Sequence, residues 1–177
     1  MNKFLKFNYR KPVRGERKIS YSQYAMYSQC PKHWELAYVK NLRTFSQSIH
    51  TIFGTAFHET LQNYLTVMFN ESVKKANEID LNKYLADQMH SLYKEAVEKM
   101  GEHFSTKREM NEFYSDGIAI LDWFKKKRGA YFSAKNEELL GIEVPIYHPV
   151  NETNKNVMML GYLDVVVRDK RDGKITI

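Results

Sequence analysis

Residues 157–169 read VMMLGYLDVVVRD, and the stretch ahead of them, residues 139–148, reads LLGIEVPIYH. Both are rich in β-branched residues and are bounded by turn chemistry, NETNKN at 151–156 and KRDG at 170–173, so each is predicted to be a strand. A third run, KITI at 174–177, follows the second turn, and together the three predict an antiparallel meander. Val165, Val166 and Val167 in succession predict a strand covered on both faces. Asp164 interrupts the apolar run just before them, and Glu143 interrupts the preceding strand between Ile142 and Val144. A carboxylate inside an apolar strand is expected to be buried, and must then be paired, hydrogen-bonded or bound to a cation to offset its desolvation.

Upstream of this region the apolar period changes from two to three-and-four. Ile49, Ile52, Phe53, Ala56, Phe57, Leu61, Tyr64, Leu65 and Met68 predict an amphipathic helix over 49–69. Leu81, Tyr84, Leu85, Met89, Leu92, Tyr93, Ala96 and Met100 predict a second over 80–100, and Met110, Phe113, Tyr114, Ile118, Leu121, Phe124 and Phe132 a third over 107–132. Near the N-terminus, residues 20–29 form a shorter helix that the Cys30-Pro31 step ends or kinks before KHWELAYVKNL resumes it. No internal repeat is visible. Helices followed by strands give an α+β fold class, with a basic arm at 1–19 ahead of a folded domain at 20–177.

The chain has 177 residues with 27 Lys and Arg against 21 Asp and Glu, a net charge of +6. At 43% hydrophobic and 27% charged it has the composition of a folded domain, which excludes disorder as its main state. No apolar run approaches the roughly 20 residues of a membrane helix, and the basic N-terminus lacks the apolar core of a secretory signal. An intracellular protein without membrane attachment is expected, and its single cysteine, Cys30, suits a reducing compartment.

The charge is unevenly spread. Residues 1–43 hold ten Lys and Arg against two acids, a local +8, while the remainder is slightly acidic. Cations with interleaved tyrosines suit a polyanion such as DNA, whose phosphates attract the former and whose exposed bases stack on the latter. Arg10, Lys11, Arg14, Arg17, Lys18, Tyr21 and Tyr24 are the expected contacts; the other reading of this segment is a solvated basic arm. The Lys125-Lys126-Lys127-Arg128 run is read as a solvated helix end, where the helix dipole favours cations.

His58 follows Gly54 by one helical turn, so the missing side chain leaves room beside the imidazole. It stands at the border of the apolar stripe, a position that also suits a structural histidine. With Glu143 and Asp164 it would complete a donor set for a divalent cation. Glu143 has a second reading, as an outward residue of an alternating strand.

In this order, the residues resemble the RecB-type, exonuclease-like branch of the PD-(D/E)XK nuclease superfamily. The features that carry the resemblance are Ser20-Tyr21-Ser22, Cys30-Pro31, the aromatic-rich stretch from Trp34 to Tyr38, Gly54 four residues before His58, Glu143 on a strand, and Gly161-Tyr162-Leu163-Asp164. The resemblance covers residues 20–177 and implies a restriction-endonuclease-like core, a Mg2+ or Mn2+ cofactor, and DNA as substrate in recombination, repair or phage DNA processing, with a helicase or other recombination protein as a possible partner class. It implies metal-ligand roles for His58, Glu143 and Asp164, with Glu143 and Asp164 catalytic.

The family's (Asp/Glu)-x-Lys is expected on the strand after Asp164, where this sequence reads Ile175-Thr176-Ile177. Asp172-Gly173-Lys174 spells the motif, but Asp-Gly is tight-turn chemistry, which places these side chains at a hairpin tip. The core is therefore expected to be incomplete within these residues and the 177-residue chain inert. The alternative is a non-catalytic DNA-binding protein that retains part of the fold. Some relatives ligate an iron-sulfur cluster through a cysteine in the Cys30 position; a cluster needs four thiolates, so none is expected here and Cys30 reads as a small buried hydrophobe.

Overall fold

The computed structural model describes residue 13 and residues 16–43, 47–151, 153 and 156–177; Arg10, Lys11 and Arg14 lie outside the described residues. Helices precede strands, and the fold is α+β. Two compact units divide it, residues 1–45 with 139–177, and residues 46–138. The first holds β1 (Arg17–Ser20), α1 (Tyr21–Gln29), α2 (Pro31–Trp34) with a π-helical turn at Glu35–Val39, then β2 (Glu137–Pro149), β3 (Val157–Asp169) and β4 (Ile175–Thr176). The second holds α3 (Ile49–Asn70), α4 (Val73–Glu78), α5 (Leu81–Met100) and α6 (Lys107–Lys127). No described helix is long and apolar enough to cross a membrane.

In the first unit β3 is the central strand, in the order β1-β3-β2, with β4 also paired to β3. The link between β2 and β3 is too short for a crossover, so they form a hairpin, closed by the Val150 amide donating to the Val157 carbonyl at 2.9 Å. Strand β4 runs antiparallel to β3, with Arg168 opposite Ile175 and Val167 opposite Thr176. Val166 and Val167 are both buried, as three successive valines predict, and Val166 joins Leu140 and Val144 in a cluster against which Leu163 packs.

The sheet is not the simple meander expected. Strand β1 pairs with β3 in parallel, from Arg17 opposite Val157 to Ser20 opposite Leu160. Residues 17–19, read from sequence as part of a basic arm, are therefore sheet residues. Four polar-leaning residues carry no strand signal of their own, and only a distant partner makes them a strand. The Tyr147 hydroxyl, donating to Glu16 Oε2 at 2.7 Å, ties the start of β1 to β2.

The β3–β4 connection is a turn, as Asp-Gly predicts. Gly173 has φ 75°, and the Asp172 carboxylate accepts the Lys174 amide at 2.9 Å. Asp169 is clamped by Arg171, whose backbone amide, Nε and Nη2 donate to its carboxylate at 2.8, 3.0 and 2.6 Å. These bonds hold the Asp169 carboxyl down to about 2. A depressed folded value means the clamp contributes above the unfolded pKa, near 3.9, and is lost as pH falls through about 2. A carbon-detected NMR titration is expected to find the Asp169 midpoint near 2. In Arg171→Ala it should move up toward the ordinary carboxyl value.

In the helical unit, local chemistry sets the boundaries. Ser48, Ser72, Asp80 and Thr106 cap the four helices, Thr106 with Glu109 as a capping box, and left-handed Gly101 stops α5. Ile49, Ile52, Ala56, Thr60, Tyr64, Leu65 and Met68 form the buried stripe of α3. Leu81, Leu85 and Met89 of α5 and Leu121 and Phe124 of α6 complete the unit's apolar interior. A Cβ on Gly117 would meet Leu85 Cδ2 at 2.6 Å and Phe53 Cε2 at 2.9 Å, which measures how closely α6 approaches its neighbours. Helix α6 ends at Lys127, short of the predicted 132. Arg128 does more than end the helix: its guanidinium lies 5.5 Å from the centroid of the Tyr64 ring and donates to the Lys125 carbonyl at 2.9 Å. Helix α4, not anticipated from sequence, is a six-residue turn of chain capped by Ser72.

Candidate metal centre

Glu143 interrupts β2 with a backbone that no alternating strand would have. Its φ is 53°, in the left-handed region, while Ile142 and Val144 on either side are buried. A left-handed residue within a strand acts as a bulge does, bending the chain locally and re-aiming one side chain. This corrects the reading of Glu143 as an ordinary outward residue. For a side chain with a Cβ the conformation costs on the order of 1 kcal/mol or more. Glu143→Gly is therefore expected to raise the thermal midpoint by about 2–4 °C, the equivalent of about 1 kcal/mol in a chain of this size, while deleting the carboxylate. Calorimetry on the two proteins checks it.

Asp164 is exposed, not buried as the apolar run predicted. Along β3, Tyr162 and Asp164 share the open face, and cover on both sides begins only at Val166. Asp164 therefore stays hydrated, on a solvent-accessible surface beside Glu143. Carboxylate oxygens of Glu143 and Asp164 lie within 4.8 Å of each other. Two oxygens bound to one Ca2+- or Mg2+-sized ion at about 2.0–2.6 Å can be at most about 4–5 Å apart. The pair fits a shared divalent ion.

Two sequences spell (Asp/Glu)-x-Lys within these residues, and strand register removes both from the Asp164 neighbourhood. Lys18, of Glu16-Arg17-Lys18, stands opposite Met158, six residues or about 20 Å along β3 from Asp164. Lys174, of Asp172-Gly173-Lys174, stands opposite Asp169, whose amide donates to its carbonyl at 2.8 Å, and Asp169 is about 17 Å along β3 from Asp164. Neither distance is within reach of a lysine side chain.

His58 sits in the middle of α3 and is half-buried, with the Gln62 side-chain amide 3.2 Å from Nε2 one turn on. A Cβ on Gly54 would meet nothing within 4 Å, so the notch beside the imidazole is open and the glycine is not required by packing.

Of the expected DNA contacts, Arg17 and Lys18 are exposed on β1, and Tyr21 and Tyr24 are exposed on α1 at 74% and 56%. Cys30 is exposed, against the expectation of a small buried hydrophobe. Pro31 at the first helical position makes Cys30 the N-cap of α2, and its Sγ accepts the His33 amide at 3.4 Å, the role serine ordinarily plays.

A family model described as the PD-(D/E)XK nuclease superfamily matches residues 18–177. No curated protein matches the chain.

Proposed function

The chain belongs to the PD-(D/E)XK nuclease superfamily, and from that premise we propose that it is a Mg2+- or Mn2+-dependent DNA nuclease of RecB type, an exonuclease of recombination, repair or phage DNA processing that works beside a helicase or similar protein. Members of the superfamily are in general metal-dependent nucleases, and the Glu143–Asp164 carboxylate pair is the single observation that carries the reading to this chain.

Glu143 and Asp164 would hold the ion, with His58 as a third donor. Its imidazole tilts the preference toward Mn2+, a softer cation than Mg2+. When bound, the ion would neutralise charge on the scissile phosphate and make water a better nucleophile. The protein's own part is placement: Asp164 on the open face of β3 leaves the phosphodiester access, and the left-handed backbone of Glu143 aims its carboxylate.

A lysine to orient the attacking water is not supplied by Lys18 or Lys174. The β4 register indicates where one would stand. Each further residue on an antiparallel strand meets one residue earlier on β3, so a strand continuing β4 would bring the second residue after Ile177 opposite Asp164 and the fourth opposite Tyr162. These positions share the face of Asp164. An acid at the second and a lysine at the fourth would complete the motif. Cleavage of end-labelled DNA with and without Mn2+, by residues 1–177 and by a polypeptide extended through those positions, tests the assignment; cleavage by neither would leave a DNA-binding protein that keeps only part of the nuclease fold.

A further inference from the structure

A second concave site lies wholly in the first unit, at the junction of β1, α1 and α2. It is a hollow of about 260 Å3 lined by Arg17, Ile19, Tyr24, Tyr27, Trp34 and Val157. Ile19 and Val157, from paired strands, supply its apolar wall. The Tyr27 and Trp34 rings meet edge to face, centroids 5.4 Å apart at 89°, and the Arg17 guanidinium lies 5.8 Å from the Trp34 centroid. Tyr24 and Tyr27 are 56% and 50% exposed, so two of the three aromatic residues are half or more open to an arriving ligand.

The chemistry of this wall narrows the occupant. Aromatic rings left this accessible at the rim of a pocket are surfaces on which a planar ring can stack. The volume falls just below the roughly 300 Å3 at which pockets for drug-sized molecules begin, which suits one flat heterocycle and not a folded peptide segment. Among the described residues no acidic residue lines the hollow and no carboxylate pairs with Arg17. A cationic ligand is therefore disfavoured, and an anion beside the heterocycle is favoured by Arg17 and by Lys18 next to it. A flat aromatic group carrying a phosphate is a nucleotide within a strand.

We infer that this hollow captures one unpaired nucleobase of single-stranded DNA, with Arg17 on its phosphate. The inference rests on the reading of the protein as acting on DNA and sharpens its substrate to a strand with bases free of a duplex. Paired bases are stacked in the helix and cannot enter; an unwound strand offers them at no unpairing cost. Trp34, which the charge pattern does not single out, is assigned alongside Arg17, Tyr24 and Tyr27.

The test is done in EDTA, so its outcome does not depend on cleavage. Fluorescence anisotropy is measured with a 12-nucleotide single strand, the same strand lacking every base, and a duplex hairpin with closed ends. The base-bearing strand is expected to bind about tenfold more tightly than the abasic one, because stacking one base on aromatic side chains is commonly worth that factor or more. Tyr24→Leu/Tyr27→Leu, which keeps apolar bulk without the rings, should lose about that tenfold on the base-bearing strand alone, leaving the hairpin unchanged as proof of folding. In a Trp123→Phe background, Trp34 emission should be quenched by the base-bearing strand and not by the abasic one. Equal affinity for the base-bearing and abasic strands, or an equal loss on strand and hairpin in the double variant, would overturn the inference. Binding to none of the three would instead remove the DNA reading itself.

Discussion

Extending the polypeptide beyond Ile177 through an acid and a lysine at the second and fourth following positions is expected to raise Mn2+-dependent cleavage of linear DNA by at least about 10⁴-fold over residues 1–177. Register is the basis. Arg168 opposite Ile175 and Val167 opposite Thr176 extrapolate to an acid facing Asp164 and a lysine two residues on. Each electrostatic group aimed at a developing charge is worth about 10²–10³ in rate, and here two act together. Without them, Glu143 and Asp164 could retain an ion, yet neither Lys18 nor Lys174 would reach the attacking water. Lys174→Ala should leave the rate of the extended protein unchanged, since register holds Lys174 opposite Asp169, about 17 Å from the Asp164 level. Metal-dependent cleavage by residues 1–177 that disappears in Lys174→Ala would make the β3–β4 turn the active site and sink the assignment.

Asp164→Ala should weaken Mn2+ binding by at least about 100-fold, because even supporting groups around a metal ligand cost 10–100-fold when removed. Electron paramagnetic resonance of free Mn2+ reads this directly and needs no turnover. Asp164 is exposed, so alanine leaves no cavity, and the thermal midpoint should stay within about 1–2 °C of the parent. Glu143→Gly should share the loss of metal while moving stability upward. Different effects on stability, none for one variant and a gain for the other, with the same effect on the ion separate a ligand role from a merely structural one. Unchanged Mn2+ affinity in both variants would refute the shared-ion reading.

The two acids illustrate how differently sequence and structure speak. Asp164 was legible because it breaks an apolar strand in a Gly-x-x-Asp context, and Glu143 because it breaks the strand before it. What each does with its surroundings was not legible. Burial of a strand residue depends on which face a neighbouring layer covers, and the open face at Tyr162 and Asp164 belongs to the sheet, not to the local sequence. The positive φ of Glu143 is likewise set by the strand's surroundings, since no glycine or asparagine announces it. The aromatic hollow needed three separate segments brought together, and of its lining only Arg17, Tyr24 and Tyr27 had drawn notice from charge and composition.

By itself the sequence determined the α+β order, the three long helices to within a few residues of their ends, β2 and β3, and the β3–β4 turn, because each is governed by chemistry within one or two turns of chain: apolar period, a capping serine, aspartate or threonine, a left-handed glycine. Tertiary structure alone decided that Arg17–Ser20 is a strand, that it runs parallel to β3, that Cys30 caps a helix in the open, and that Glu16-Arg17-Lys18 stands far along β3 from Asp164. Strand partners and register are pairings across long separations in sequence. Their energy resides in hydrogen bonds and side-chain contacts that no local window contains.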